Sequence, residues 1–219
     1  DISDLSGKKA CKQDLVNALH MDPSYVNKPI LAVIGRLTDQ KGCDLLGKIV
    51  KELMEMGVGF VLLGEGERTY NKMFGAVRRE YIGRAGIIIG YNNRLAHKIM
   101  AGADIFLMPS LYEPCGLTQM YALRYGTVPV VHDTGGLSDT IREFIPETGR
   151  GTGFKFSDYN ASSFMETIKK ALELFQKRKV WTRIVKNGMK ADFSWKRSAQ
   201  EYLEVYEKAF ARTNLHKNP

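Results

Sequence analysis

Three stretches of the chain combine residue types that a charged or hydroxylated ligand would need. The first is Gly35-Arg36-Leu-Thr-Asp-Gln-Lys41-Gly42. Arg36 supplies a planar fork of donors and Lys41 a mobile point charge, a pair suited to a diphosphate whose negative charge grows as it leaves. The segment follows an apolar run and leads into a helical pattern, where free backbone N–H groups and the helix dipole favour an anion. Spacing alone does not make it a motif, and by spacing alone two surface cations beside a turn is the favoured reading.

The second stretch is Pro109-Ser-Leu-Tyr-Glu113-Pro114-Cys115-Gly116-Leu117-Thr118-Gln119. Pro114 and Gly116 constrain a turn, and the amides of Gly116, Leu117 and Thr118 are expected to open the next helix. A carboxylate at Glu113 is awkward beside an anion. It makes sense if it faces hydroxyls or developing positive charge, although electrostatics alone favours a role in satisfying the helix dipole. Cys115 sits where a thiol becomes more acidic, but no base is placed to make it a nucleophile.

The third is Ile89-Gly90-Tyr91-Asn92, whose aromatic could stack on a flat base, while a buried core tyrosine is the commoner fate. Gly64-Glu-Gly66 lacks the third glycine of a dinucleotide fingerprint and reads better as a tight strand-to-helix turn. Thr134-Gly135-Gly136 either turns the chain or admits a ligand. His20, His97, His132 and His216 show no metal-binding spacing, so surface or core roles are expected and no metal is.

The elements that must position these residues alternate. Pro29–Ile34, Phe60–Leu63, Ile87–Ile89, Asp104–Met108 and Thr127–Val131 are short apolar runs that read as buried strands, with a less certain sixth at Thr152–Phe156. Helical periodicity fills the gaps at Lys41–Met56, Glu67–Tyr81, Arg94–Ala101, a loop and helix spanning Glu113–Tyr125, and a helix marked by Phe164, Ile168, Leu172 and Phe175. A short helix over Lys8–Leu19 precedes them. This alternation implies right-handed crossovers and a doubly wound, Rossmann-like α/β fold with a parallel sheet. Ligands of such sheets bind beyond the carboxyl ends of the strands, where all three stretches lie. Over 194–210 the pattern is helical, with Ser194 as N-cap and Trp195, Ala199, Tyr202, Tyr206 and Phe210 on one stripe. Periodicity does not say whether that stripe packs on its own domain or docks another.

At 219 residues and 44% hydrophobic, the chain is long and apolar enough for one full core, and one domain over residues 1–219 is the reading. No apolar run approaches a membrane span. The formal charge of +8 suits an anionic partner, but the basic residues are dispersed, which favours a solvated basic surface over a nucleic-acid site. An odd set, Cys11, Cys43 and Cys115, points to a reducing cytoplasm. The first residues, Asp1-Ile-Ser-Asp-Leu-Ser, carry neither initiator Met nor signal-peptide order, as an excised domain would.

Taken in order, Gly35–Gly42, Ile89-Gly90-Tyr91, Ala103-Asp104, Pro109-Ser110, Glu113–Gln119, Arg124-Tyr-Gly-Thr-Val-Pro129 and Thr134-Gly-Gly-Leu137 resemble the C-terminal domain of the bacterial glycogen synthase and plant starch synthase family. The resemblance runs from Pro29 to the helix at Ser194-Trp195, and Glu-Pro-Cys-Gly-Leu-Thr-Gln is its most specific part. It implies the C-terminal half of a GT-B architecture, two facing Rossmann-like domains, and transfer of glucose from ADP-glucose to an α-1,4-glucan with retention. On that resemblance Arg36 and Lys41 bind the phosphates, Tyr91 lies on the adenine, Leu117 and Thr118 offer donors to the distal phosphate, Glu113 stands beside the glucose, and Cys115 and Gly116 lie close by. Many retaining transferases of this fold carry a second glutamate eight residues after the first; here it is Tyr121, as in the glycogen and starch branch. The resemblance further implies no cofactor, a partner N-terminal domain holding the glucan, a cytoplasmic location (plastidial in a plant), and little activity without that partner.

Overall fold

The computed structural model describes residues 1–215, with side chains to 212, so His216 lies outside the described residues. Six strands, β1 (Ile30–Ile34), β2 (Gly59–Gly64), β3 (Ala85–Ile89), β4 (Ile105–Met108), β5 (Val128–His132) and β6 (Phe154–Phe156), form one sheet in the order β3-β2-β1-β4-β5-β6. Every pairing is parallel. Parallel neighbours require crossovers, and the helices supply them: α1 (Ser6–Ala18) precedes the sheet, and α2 (Cys43–Glu55), α3 (Arg68–Glu80), α4 (Asn93–Gly102), α5 (Thr118–Arg124), α6 (Gly135–Thr140) and α7 (Ala161–Gln176) lie between or after strands. Two more, α8 (Arg178–Lys190) and α9 (Trp195–Leu215), follow.

Both faces of the sheet are covered, which explains why the strands read as continuous apolar runs. Leu31, Val33, Phe60, Leu62, Ile105 and Leu107 join the core made with α2, α3, α7 and α8. Their alternating neighbours Ile30, Ala32, Val61, Leu63, Phe106 and Met108 join the core made with α1, α4, α5 and α6. Helix ends follow local chemistry. Asn92 and Asn160 cap α4 and α7 by accepting from the amides of Leu95 (2.9 Å) and Ser163 (2.8 Å). Gly57, at φ 78°, ends α2 in the left-handed conformation.

At the amino end of the sheet Asp104 binds the starts of two strands together. Its Oδ2 accepts from the amide of Ile30 at 2.8 Å and from Lys12 Nζ at 2.6 Å, and Lys12 also donates to the carbonyl of Lys28 at 2.5 Å. Both side chains of this ion pair are buried.

Several boundaries differ from the sequence reading. The helix expected from Lys41 begins only at Cys43, because Asp39–Lys41 is a 3₁₀ turn and Gly42 stands at φ 75°. A Cβ at Gly42 would lie 2.1 Å from the carbonyl oxygen of Pro109, so glycine there permits close approach of two loops. The Thr134-Gly135-Gly136 turn is the start of the six-residue α6. Helix α8 went unread: its cations mask the period of Trp181, Ile184, Val185 and Gly188, which are buried. The aromatic stripe of α9 does not pack on its own domain; Trp195, Tyr202, Tyr206 and Phe210 are exposed and belong to neither core. Among the described residues no helix is long and apolar enough to cross a membrane.

Candidate functional site

The strand order reverses between β1 and β4, and in doubly wound sheets the crevice at that point receives the ligand. The loop after β1 carries Arg36 and Lys41, and the loop after β4 carries Glu113 and leads into α5. The two loops are joined. Lys41 Nζ meets Glu113 Oε2 at 2.5 Å, with the Lys41 side chain 25% exposed and that of Glu113 only 9%. Ser110 Oγ approaches the same carboxylate oxygen at 3.3 Å. This corrects the picture of Lys41 as an unattached charge and accounts for a carboxylate beside an anion site: the lysine already neutralises it.

The backbone completes the join. The amide of Leu111 donates to the carbonyl of Gln40 at 3.0 Å, and the amide of Gly136 to the carbonyl of Glu113 at 2.9 Å. Added Cβ atoms at Gly135 and Gly136 would lie 2.3 Å from the Glu113 carbonyl oxygen and 2.0 Å from that of Cys115. The Thr134-Gly135-Gly136 segment therefore serves as the surface on which the Glu113 loop rests. From the first turn of α5, Gln119 Nε2 donates to the carbonyls of Cys115 and Gly116, both at 3.0 Å, fixing the turn before the helix. The helix does start at Thr118, so its first turn leaves amides without an intrahelical acceptor. With only seven residues α5 contributes those donors more than a macrodipole.

The 3₁₀ turn that presents Lys41 is held from behind. Tyr70 OH donates to Asp39 Oδ1, and Tyr159 OH donates to Asp44 Oδ1 at 2.8 Å and to the carbonyl of Asp39 at 3.3 Å. Burial first, and the adjacent carboxylates second, raise both phenols above the ordinary tyrosine range, so both remain donors at neutral pH. These two tyrosines escaped the sequence reading, because their contacts join segments distant in the sequence.

Beside the joined loops a pocket of about 280 Å³ opens over the ends of β1, β2 and β3. Ile34 and Leu63 give it apolar lining, Gly35 and Gly64 admit close approach, and Arg36, Glu65 and Asn92 supply polar groups. Tyr91 lines it too and is 86% exposed, contrary to the core position its type favours. It is thus available to stack on a base. Glu65 and Asn92 were missed as lining residues; their places immediately after β2 and β3 were the available signal.

The remaining candidates separate from the site or lose a chemical role. Cys115 is exposed, and its sulfur has its hydrogen-bond contact with the neighbouring Gly116 carbonyl at 3.5 Å, not with a base. Burial pushes the Cys43 thiol up to about 12, leaving it unreactive. His132 is buried among Phe156 and Tyr159, with its ring nitrogens at the carbonyls of Ser110 and Ser157. His97 pairs with Tyr125 OH at 3.1 Å. Among the described residues no group of three or more His, Cys, Asp or Glu is placed to hold a metal.

A doubly wound sheet with cationic and amide donors at its switch point, adjoined by a pocket, is the Rossmann-like arrangement in which nucleotides and other anionic ligands commonly bind. Comparison with known proteins gives the family. The model of the glycosyl transferases group 1 family matches residues 22–188, and the chain belongs to that family. It is 45% identical over 205 residues to a glycogen synthase of Koribacter versatilis, covering 94% of this chain and 42% of that protein. It is 46% identical over 207 residues to a glycogen synthase of Desulfitobacterium hafniense, covering 94% and 44%. The catalytic domain of starch synthase IV from Arabidopsis thaliana, bound to ADP and acarbose, matches with a TM-score of 0.87 at 33% identity, over 96% of this chain and 44% of that one. The chain thus spans less than half the length of the relatives it matches.

Proposed function

We propose that this chain is the ADP-glucose-binding C-terminal half of a glycogen or starch synthase, transferring glucose with retention to the non-reducing end of an α-1,4-glucan when joined to an N-terminal acceptor domain. The observation that carries the reading is the joined pair of loops at the β1–β4 switch point, with Arg36 shared between those loops and the nucleoside pocket. Identity above 40% to glycogen synthases over nearly the whole chain, and the ADP in the starch synthase IV complex, support it.

In this reading the adenine lies on Tyr91. The diphosphate runs past Arg36 towards Lys41 and the amides of Leu117 and Thr118, with the Thr118 hydroxyl and Gly116 beside it. These donors meet the charge that develops on the leaving diphosphate, the role a metal fills elsewhere. Glu113 Oε2 is engaged by Lys41 and Ser110, while Oε1 has no hydrogen-bond partner among the described residues and is available to a glucose hydroxyl. Glu113 therefore orients the sugar and supports its positive charge electrostatically. Cys115, exposed on the same loop, borders the sugar. Tyr121, half-exposed on α5, replaces the carboxylate that grips ribose in other branches.

The exposed stripe of α9 is the surface on which the acceptor domain would dock, since the relatives are more than twice as long as the matched segment. The synthase would act in the cytoplasm, or in a plastid if the source is a plant.

Titration of ADP, UDP and NAD against the chain and its Arg36→Ala variant tests the reading. ADP is expected to bind most tightly and to lose about tenfold or more in the variant, as loss of a charge-assisted contact predicts. Preference for NAD, or an unchanged ADP affinity in the variant, would contradict the site; preference for UDP would keep the site and change the donor.

A further inference from the structure

Between Arg36 and Lys41 stands Gln40, whose backbone carbonyl and side-chain Nε2 bond the facing loop while its Oε1 meets Arg36 in its own loop. Its backbone carbonyl accepts from the amide of Leu111 at 3.0 Å. Its side-chain Nε2 donates to the carbonyl of Tyr112 at 2.7 Å, and its Oε1 accepts from Arg36 Nη2 at 3.2 Å. The orientation of the amide is dictated by its partners: Tyr112 offers only an acceptor and the guanidinium only donors. No other uncharged side chain of this length supplies a donor and an acceptor in this arrangement. A glutamate would turn an oxygen against the Tyr112 carbonyl.

We infer that Gln40 is a positioning residue for the diphosphate grip: it holds the Arg36 guanidinium in place and fixes it relative to the loop that carries Glu113. The inference rests on the sugar-nucleotide reading above. Arg36 is exposed, and a free arginine side chain has rotamer freedom that binding must overcome. An acceptor in place before the ligand arrives removes part of that cost, and one anchored to Tyr112 does not drift with the arginine. The Leu111–Gln40 bond is made by the backbone and survives substitution of the side chain. A variant at Gln40 therefore interrogates the hold on Arg36 while the loops stay docked.

The test is a double-mutant cycle on ADP affinity by calorimetric titration, with Gln40→Met, Arg36→Ala and the double variant, alongside thermal unfolding of each. Gln40→Met is expected to weaken ADP about fivefold and to leave the unfolding midpoint within about 2 °C. The double variant is expected to bind within about twofold of Arg36→Ala alone, because Gln40 acts through Arg36. Two losses that multiply in the double variant, or an unchanged affinity in Gln40→Met, would overturn the inference while leaving the nucleotide site intact. An Arg36→Ala variant that keeps full ADP affinity would remove the site and this inference together. Gln40→Ala repeats the cycle with a smaller side chain, so that a disturbance specific to methionine is not mistaken for loss of the hold.

Discussion

A lysine–carboxylate pair lies at each end of β1 and β4, and the two pairs have different fates. At the amino end Lys12 and Asp104 are 7% and 10% exposed; the carboxylate also accepts from the Ile30 amide, and the lysine also donates to the Lys28 carbonyl. At the carboxyl end Lys41 and Glu113 lie at nearly the same separation, yet a quarter of the Lys41 side chain stays exposed. The same chemistry thus serves closure at one end and, on the function proposed above, reception at the other. What separates them is how far the neighbours bury the lysine of the pair.

The sharpest way to break this comparison is to delete one carboxylate from each pair. Asp104→Ala leaves a buried ammonium without its counter-charge and is expected to cost about 3–5 kcal/mol of stability, read from the denaturant midpoint. Glu113→Gln should scarcely move that midpoint. In a synthase that joins this chain to an acceptor domain, it is expected to lower kcat about a hundredfold, the usual penalty for losing one well-placed electrostatic group. Should Glu113→Gln unfold the chain as readily as Asp104→Ala, the two ends would not differ in kind.

Smaller effects refine the carboxyl end. Tyr91→Ala is expected to weaken ADP about fivefold through lost stacking, with no loss of stability from so exposed a ring. A thiol-reactive probe at ~pH 8 should label Cys115 in the folded chain, more slowly with ADP present, while Cys43 reacts only after unfolding because burial holds its thiol near 12. Equal labelling of both cysteines would show that the loop after β4 is no more accessible than the core.

Much of the fold was legible because buried parallel strands announce themselves as apolar runs. All six strands fell where Ile30–Ile34 through Phe154–Phe156 suggested, with shifts of one or two residues. Arg36, Lys41, Tyr91 and Glu113 stood out because they lie in the loops after strands, but their spacing favoured bland roles, only the family resemblance singled them out as a site, and their relations could not be read at all. That Lys41 bonds Glu113, or that Gly136 underlies the Glu113 loop, depends on side chains and backbone brought together by the sheet order, which no local spacing encodes. Helix α8 was lost for a different reason: its buried residues are few and its exposed face is crowded with cations.

The glycine contacts that clasp the loops also say when the site comes into being. Lys41 and Glu113 are 72 positions apart, and Gly42 reaches the Pro109 carbonyl only once β1 and β4 lie side by side. Gly136 reaches Cys115 only after β5 has joined them. Closing such long loops is slow relative to forming the individual helices. A partly folded chain would therefore have its helices and one crossover before the two loops meet, so if those loops hold a diphosphate as proposed, nucleotide binding reports that the centre of the sheet has finished assembling.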